Sequence, residues 1–317
     1  MKKQGRVMDY LKLARLDHWI KQLFILPGIV FGIALIYADV VPSEIISKFF
    51  FAFFATCLIA SANYIINEWL DAEFDKYHPT KKHRTAVVAS LKRGGVITLY
   101  AIFAVLGLVA AYLASFQIFL CNLLLLIMGI LYNVKPFRTK EIVYLDVLSE
   151  SINNAIRLMI GWFIVTSVYL PPVTIVFGYW MGGAFLMATK RYAEYNMIDN
   201  KETAALYRKS FQSYSSETLL ISAFFYALSS VFFSGVFMIK YRVELLLAIP
   251  PLCGLFCYYL YISYKHDSAV QKPEKLFKEK GLMIYVGLLI VLFGVLMLVR
   301  IPALDVLIEN VLIEVRL

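Results

Sequence analysis

Residues 49–67 read FFFAFFATCLIASANYIIN, nineteen positions without a charge, and residues 68–75 continue as EWLDAEFD, with four carboxylates in eight positions. An apolar run of about 20 residues is what a helix needs to cross the hydrocarbon core of a bilayer. The acidic continuation places a cluster of carboxylates at the membrane edge, where lipid-facing helices have no use for them.

Working outward, eight further apolar runs surround this one. The nine candidate spans cover about 23–41, 47–67, 95–114, 115–133, 142–166, 172–189, 218–239, 244–263 and 281–300. Helices are the expected structure, because unpaired backbone groups in lipid are too costly and no barrel-like alternation is present. Gly94-Gly95, Pro171-Pro172 and Gly281 supply turn chemistry at span ends. The expectation is an all-α membrane protein: one helical-bundle domain over 1–317, with interfacial segments at 1–22 and 301–317.

Composition agrees. The chain has 317 residues, 61% hydrophobic and 17% charged, where a soluble domain carries about 25% charge. That excludes an ordinary soluble enzyme and a disordered chain, and four dispersed cysteines exclude a disulfide-stapled scaffold. Cys253 and Cys257, spaced i, i+4 in an apolar span, read as ordinary buried cysteines. Of the 31 Lys and Arg, 25 fall on the side of the N-terminus and five on the other, with Arg157 inside a span. This asymmetry predicts a cytoplasmic N-terminus in a multi-pass plasma-membrane protein, with the polar loops and their carboxylates on the cytoplasmic face.

Asn67, Asp71 and Asp75 are spaced i, i+4, i+8, which drifts only about 80° around a helix and keeps them on one face. Few carboxylates plus an amide suit Mg²⁺, which completes its shell with substrate phosphates. Lys76, His78, Lys81, Lys82, His83 and Arg84 follow at once, and such acid-then-base clustering matches a magnesium–diphosphate substrate. A polar helix end reaching water is the plainer alternative. A second constellation lies on the fifth span. Tyr132, Lys135 and Arg138 lead into it, and Asp146, Glu150, Asn153 and Arg157 share one helical face beside Asn154. A structural ion pair remains open there. Lys190, Arg191, Tyr192 and Glu194 end the sixth span at the same membrane face. All three groups are expected around one polar cavity. No P-loop, dinucleotide-binding glycine pattern, nucleophile elbow or HExxH spacing is present, and nothing points to nucleic acid.

At these residues the chain resembles the UbiA superfamily of intramembrane prenyltransferases. Asn67, Asp71 and Asp75 match its NxxxDxxxD motif, and Asp146 with Glu150 matches its second acidic motif. Within the superfamily it is most similar to decaprenyl-phosphate phosphoribosyltransferases. That narrower match is carried by Arg15-x-x-His18-Trp19-x-Lys21, Asp75-x-x-His78-Pro79-x-Lys81, Lys190-Arg191-Tyr192-x-Glu194 and Pro273-Glu274. Glu68 stands where an aspartate is usual, Thr85 replaces a proline, and Leu16 and Gln22 replace proline and asparagine neighbours.

The resemblance implies a nine-helix bundle and a Mg²⁺-dependent transferase of cell-envelope biosynthesis. Its donor would be 5-phosphoribosyl-1-diphosphate (PRPP) and its acceptor a polyprenyl phosphate lipid. Asn67, Asp71 and Asp75 would hold the metal, and Asp71, Asp75, Asp146 and Glu150 would be catalytic. Lys21, Lys81, Lys82, Arg84, Tyr132, Lys135, Arg138, Arg157, Lys190, Arg191 and Glu194 would contact substrate. An isoprenoid diphosphate donor with a small aromatic acceptor is the alternative, and an ion-coupled transporter a third reading. A homo-oligomer is left open.

Overall fold

The computed structural model describes residues 3–36, 42–198, 200–265, 268–271, 276 and 278–307. Pro273-Glu274 and residues 308–317 lie outside the described residues, as does most of the expected C-terminal interfacial segment. Residues 302–307 form a short 3-10 turn.

Helices dominate, and each expected apolar run contains one. They are α1 (Val7–Leu13), α2 (Leu26–Ile36), α3 (Pro42–Asp75), α4 (Arg93–Ala114), α5 (Phe116–Asn133) and α6 (Leu145–Val165). There follow α7 (Val173–Met197), α8 (Lys201–Tyr207), α9 (Ser216–Tyr241), α10 (Ile249–Ser263) and α11 (Lys280–Leu298). The α4–α5 break is set by Ser115, whose hydroxyl caps α5 by accepting from the Ile118 N–H at 3.2 Å. A two-residue parallel pairing of Lys3–Gln4 with Ala89–Ser90 is the only ladder among the described residues.

Seven helical stretches are long and apolar enough to cross a membrane: Val7–Ile36, Ser43–Asp75, α4, α5, α9, Val243–Ser263 and α11. The other two expected spans, α6 and α7, are 21 and 25 residues long but carry carboxylates, cations, asparagines and glycines on their inner faces. Outward faces are apolar, with Leu113, Phe224 and Leu288 each about two-thirds exposed, as lipid-facing surfaces require. The protein is a multi-pass membrane protein. In that setting Cys257 is exposed and Cys253 half-buried, so the reading of both as buried cysteines is corrected. A lipid-facing position suits a small apolar side chain equally well.

Two apolar cores flank the middle of the bundle. One joins α3, α4, α5 and α6 through Ala55, Ile59, Ala111, Leu125 and Ile160; the other joins α7, α9, α10 and α11 through Phe185, Tyr226, Tyr259 and Leu282. Helix α3 spans 34 residues, about 51 Å at 1.5 Å per residue. It therefore outruns a hydrocarbon core of about 30 Å and carries its acidic turns beyond it. Helices α2 and α6 approach backbone to backbone. A Cβ at Gly28 would lie 2.0 Å from the Leu158 carbonyl oxygen, and one at Gly161 2.0 Å from that of Ile25. Only glycine fits at this crossing, which brings the residues before α2 against the inner face of α6.

A cation-rich cavity as the candidate active site

Between the two cores lies a cavity of about 1220 Å³, lined from nearly every long helix. One end is polar and the other apolar, with Phe31, Ile175, Phe237 and Phe293 on the apolar walls. Eleven lysines and arginines line it against six carboxylates, so the cavity suits a polyanion with an apolar portion.

Asn67, Asp71 and Asp75 line the cavity together, as their spacing predicts. The Asn67 amide donates to Asp71 Oδ2 at 3.2 Å and to Asn133 Oδ1 at 2.6 Å. Asp71 Oδ1 accepts from Lys140 Nζ at 2.5 Å and Arg138 Nη2 at 3.0 Å. Asp75 Oδ2 accepts from Arg84 Nη1 at 2.6 Å. Arg138 takes a left-handed backbone, φ 33°, a conformation that costs energy in a non-glycine residue, and from there its guanidinium reaches both Asp71 and Glu141. Burial pushes Lys140 down to about 8, with Asp71 working the other way. His78 is buried with Nδ1 accepting from the Thr80 and Lys81 N–H groups at 3.2 Å. Burial and the neighbouring Lys81 push it down to about 3, so it is neutral at physiological pH.

On the opposite wall Arg191 gathers three carboxylates: Glu150 at 2.5 Å, Glu194 at 3.1 Å and Asp146 at 3.3 Å. The Tyr132 hydroxyl donates to Glu150 at 2.8 Å. Lys81 Nζ bridges the two sides, bonding Glu194 at 2.8 Å and also the Tyr207 hydroxyl. Glu150, Glu194, Tyr132, Lys190, Arg191, Arg157, Lys81, Arg84, Arg138 and Lys21 all line the cavity.

Three expectations need correction. Asp146 shares the helical face of Glu150 but is fully buried and does not line the cavity. The segment following α8 roofs it: Tyr214 donates to it at 2.8 Å, Ser210 at 3.3 Å, and Arg208 lies at 3.6 Å. Asp146 therefore stands behind the cavity wall, paired with Arg191, which does line it. Lys82 and Lys135 are exposed and off the cavity wall: Lys82 is on the outer side of the 3-10 turn Lys81–His83, and Lys135 follows the end of α5.

Sequence reading missed Lys140, Asn133, Tyr207 and Arg208. The last two come from α8 and its continuation, whose return over the cavity no periodicity announces. Arg208 lines the cavity with its Nε without a hydrogen-bond partner. The departures at Glu68 and Gln22 also find partners. Glu68 accepts from Arg15 at 2.6 and 2.8 Å, and Gln22 accepts from Arg157 at 2.7 Å.

Two carboxylates and an amide on one helical face fit a hard cation that keeps phosphate oxygens in its shell. Among the described residues no group of three or more His, Cys, Asp or Glu is placed to enclose a metal by itself, so substrate phosphate would have to complete the site.

Residues 25–279 match the UbiA prenyltransferase family. The chain belongs to that family. It is a transferase, which sets the transporter reading aside. Among its relatives is the decaprenyl-phosphate phosphoribosyltransferase of Mycolicibacterium smegmatis, 30% identical over 230 residues, or 67% of this chain and 64% of the relative. That of Mycobacterium tuberculosis is 29% identical over 225 residues, 67% of this chain and 68% of the relative. The chain thus spans about two-thirds of the length of these relatives. A UbiA homologue from Archaeoglobus fulgidus, solved with GPP and Mg²⁺, superposes with a TM-score of 0.67 at 20% identity, covering 92% of this chain and all of that one. At that identity the likeness establishes the fold.

Proposed function

We propose that this UbiA-family enzyme transfers the 5-phosphoribosyl group of PRPP to the phosphate of a polyprenyl phosphate, releasing diphosphate, at the cytoplasmic face of the membrane. The observation that carries the reading is the cation excess at one end of a cavity whose other end is apolar. A donor with a diphosphate and a 5-phosphate and an acceptor with a phosphate on an apolar chain both find their chemistry there. The name of the mycobacterial relatives, decaprenyl-phosphate phosphoribosyltransferase, supports a phosphoribosyl group as what is moved and a polyprenyl phosphate as its acceptor. The cytoplasmic orientation rests on the 25 of 31 basic residues on the N-terminal side.

In the reaction an oxygen of the lipid phosphate forms a bond to ribose C1, while the bond from C1 to the diphosphate oxygen breaks and the diphosphate leaves with its electron pair. Asn67, Asp71 and Asp75 would hold Mg²⁺ against the diphosphate, where it would neutralise the charge of the leaving group. Arg84, Arg138 and Lys140 pair with these carboxylates and Lys81 with Glu194, and the four counter the remaining phosphate charge, most strongly as it grows in the transition state. Glu150, held by Arg191 and Tyr132, is the carboxylate placed to meet ribose hydroxyls or the positive charge developing at C1. Asp146 is a positioning residue for Arg191. The acceptor phosphate is already ionised, so no general base is required, in keeping with a neutral, buried His78. Holding donor and acceptor in one cavity supplies the remaining advantage.

The purified protein given PRPP, a polyprenyl phosphate and Mg²⁺ should release diphosphate and form a phosphoribosyl lipid, and chelation should stop it until Mg²⁺ is restored. A parallel arm offers an isoprenoid diphosphate with an aromatic acceptor. Turnover in that arm alone would replace this reading with prenyl transfer, the chemistry suggested by the GPP in the archaeal neighbour.

A further inference from the structure

Several cations around the cavity are matched by carboxylates: Arg15 with Glu68 at 2.6 Å, Lys81 with Glu194 at 2.8 Å, Arg84 with Asp75 at 2.6 Å and Arg138 with Asp71 at 3.0 Å. Arg157 is not. It lies on α6 seven residues beyond Glu150, about 10 Å further along the helix axis, and is the last α6 residue to reach the cavity wall. Its Nε donates to Gln22 Oε1 at 2.7 Å and its Nη1 to Asn154 Oδ1 at 3.2 Å. Among the described residues no carboxylate comes within 4.0 Å of it. Both partners are neutral amides, which orient the guanidinium without cancelling its charge. An uncancelled charge at this depth in a bundle is costly unless a ligand supplies the counter-charge.

Its surroundings identify that ligand. Leu158, the next residue, packs with Ile175, Phe237 and Tyr179, all three on the cavity wall, so the α6 turn that carries Arg157 adjoins the apolar part of the lining. Lys21, next to Gln22 in sequence, also lines the cavity, its ammonium 3.0 Å from His18 Nδ1 and 5.8 Å from the centre of the Tyr64 ring. The close α2–α6 crossing at Gly28 and Gly161 holds this edge in place. The face of two carboxylates and an amide that suits a metal-bound diphosphate is that of Asn67, Asp71 and Asp75 on α3. A phosphate monoester on a long apolar chain needs cations and no metal ligands, with apolar walls beyond. We propose that Arg157, with Lys21, binds the phosphate of the lipid acceptor, and that the Asp71–Asp75 side is reserved for the donor diphosphate. The identity of the acceptor rests on the phosphoribosyl-transfer reading; the phosphate-on-lipid chemistry of this subsite rests on Arg157 itself.

Two variants of the full-length protein test it, Arg157→Gln and Gln22→Glu. The second leaves the arginine in place and neutralises it with a carboxylate partner, which a purely structural role would tolerate. Binding is measured separately for a polyprenyl phosphate, the corresponding polyprenol, inorganic phosphate and Mg²⁺·PRPP. Both variants should bind the polyprenyl phosphate about 10- to 100-fold more weakly, the usual worth of a hydrogen bond between charged groups. Polyprenol and PRPP affinities should stay near wild type, and inorganic phosphate should compete only weakly without its chain. Unchanged lipid-phosphate affinity in Gln22→Glu, or a loss that falls on PRPP, would overturn the assignment, even if Arg157→Gln failed to fold. A wild-type protein that binds the lipid phosphate but not PRPP would remove the donor reading and leave the subsite standing.

Discussion

Asp71 and Asp75 close α3 one turn apart, and Asp146 and Glu150 open α6 with the same spacing. On α3 both carboxylates line the cavity, and each is countered by cations from loops: Lys140 and Arg138 for Asp71, Arg84 for Asp75. On α6 only Glu150 faces the cavity, 29% exposed, while Asp146 is sealed beneath Tyr214, Ser210 and Arg208. The same i, i+4 acidic pattern thus serves two ends. On α3 it presents oxygen donors to a ligand; on α6 half of it anchors the arginine that positions the other half. What separates them is the chain that returns over each helix, not the helix.

The widest gap between the regions should appear in Asp71→Asn and Asp75→Asn. Removing either charge takes a donor from the metal and diphosphate side, and transfer should fall by about 100-fold or more. Asp71 keeps 18% of its side chain exposed, and Arg138 and Lys140 retain Glu141 and Asn133 as partners, so thermal stability should change little in Asp71→Asn; Asp75→Asn also takes from Arg84 its carboxylate partner and should lose more. Near-wild-type turnover in both variants would break the metal assignment.

Asp146→Ala should reverse that pattern. It takes one of the three carboxylates from Arg191 and leaves Arg208 and the Tyr214 hydroxyl without their buried partner, and breaking such a pair from one side costs about 3–5 kcal/mol. The expected result is poor recovery of folded protein and a depressed unfolding temperature. Asp146→Asn, which can still accept from Tyr214 and Ser210, should recover part of the stability. A stable Asp146→Ala protein that has lost only turnover would return Asp146 to the substrate side.

These two outcomes mark what the sequence made legible. The nine apolar runs, the α3 motif and the convergence of three polar groups on one cavity all follow from local pattern, since span length and a 3.6-residue period are properties of a single segment. Lys140, Tyr207 and Arg208 were beyond reach because loops that return across the cavity carry no period. Asp146 was read on the right face, but nothing within α6 tells that residues 208–214 cover it. The departures at Glu68 and Gln22, which looked like variation on a family pattern, acquire partners only when Arg15 and Arg157 are seen beside them.

A smaller effect distinguishes the regions by acid sensitivity. His78 belongs to the α3 side and is pushed down to about 3 by burial and Lys81, whereas an exposed histidine titrates near 6.5. As pH falls below about 6.5 the unfolded chain gains a proton that the folded protein refuses. Stability therefore drops with falling pH, by up to about 2 kcal/mol at pH 5. His78→Asn can keep an acceptor for the Thr80 and Lys81 N–H groups and should lose less between pH 7 and pH 5. Unfolding temperatures of the two proteins across that interval check it, and parallel curves would show that His78 is not held neutral.

The smallest effect is expected where each region has an outlying cation, Lys82 beyond the α3 motif and Lys135 ahead of α6. Both belong to the basic excess that orients the bundle, and both are exposed away from the cavity. A charge in water acts on a buried phosphate only across a screened distance, with a Debye length of about 8 Å at physiological salt. Lys82→Ala and Lys135→Ala should therefore leave turnover within about twofold at that salt. Lys140→Ala, from the same loop as Lys135 but bonded to Asp71, should be far more damaging. Measuring the three together separates cations that set topology from cations that meet phosphate. A large loss in Lys82→Ala or Lys135→Ala would mean that substrate binding draws one of these exposed loops inward, and the boundary of the site would have to be redrawn around it.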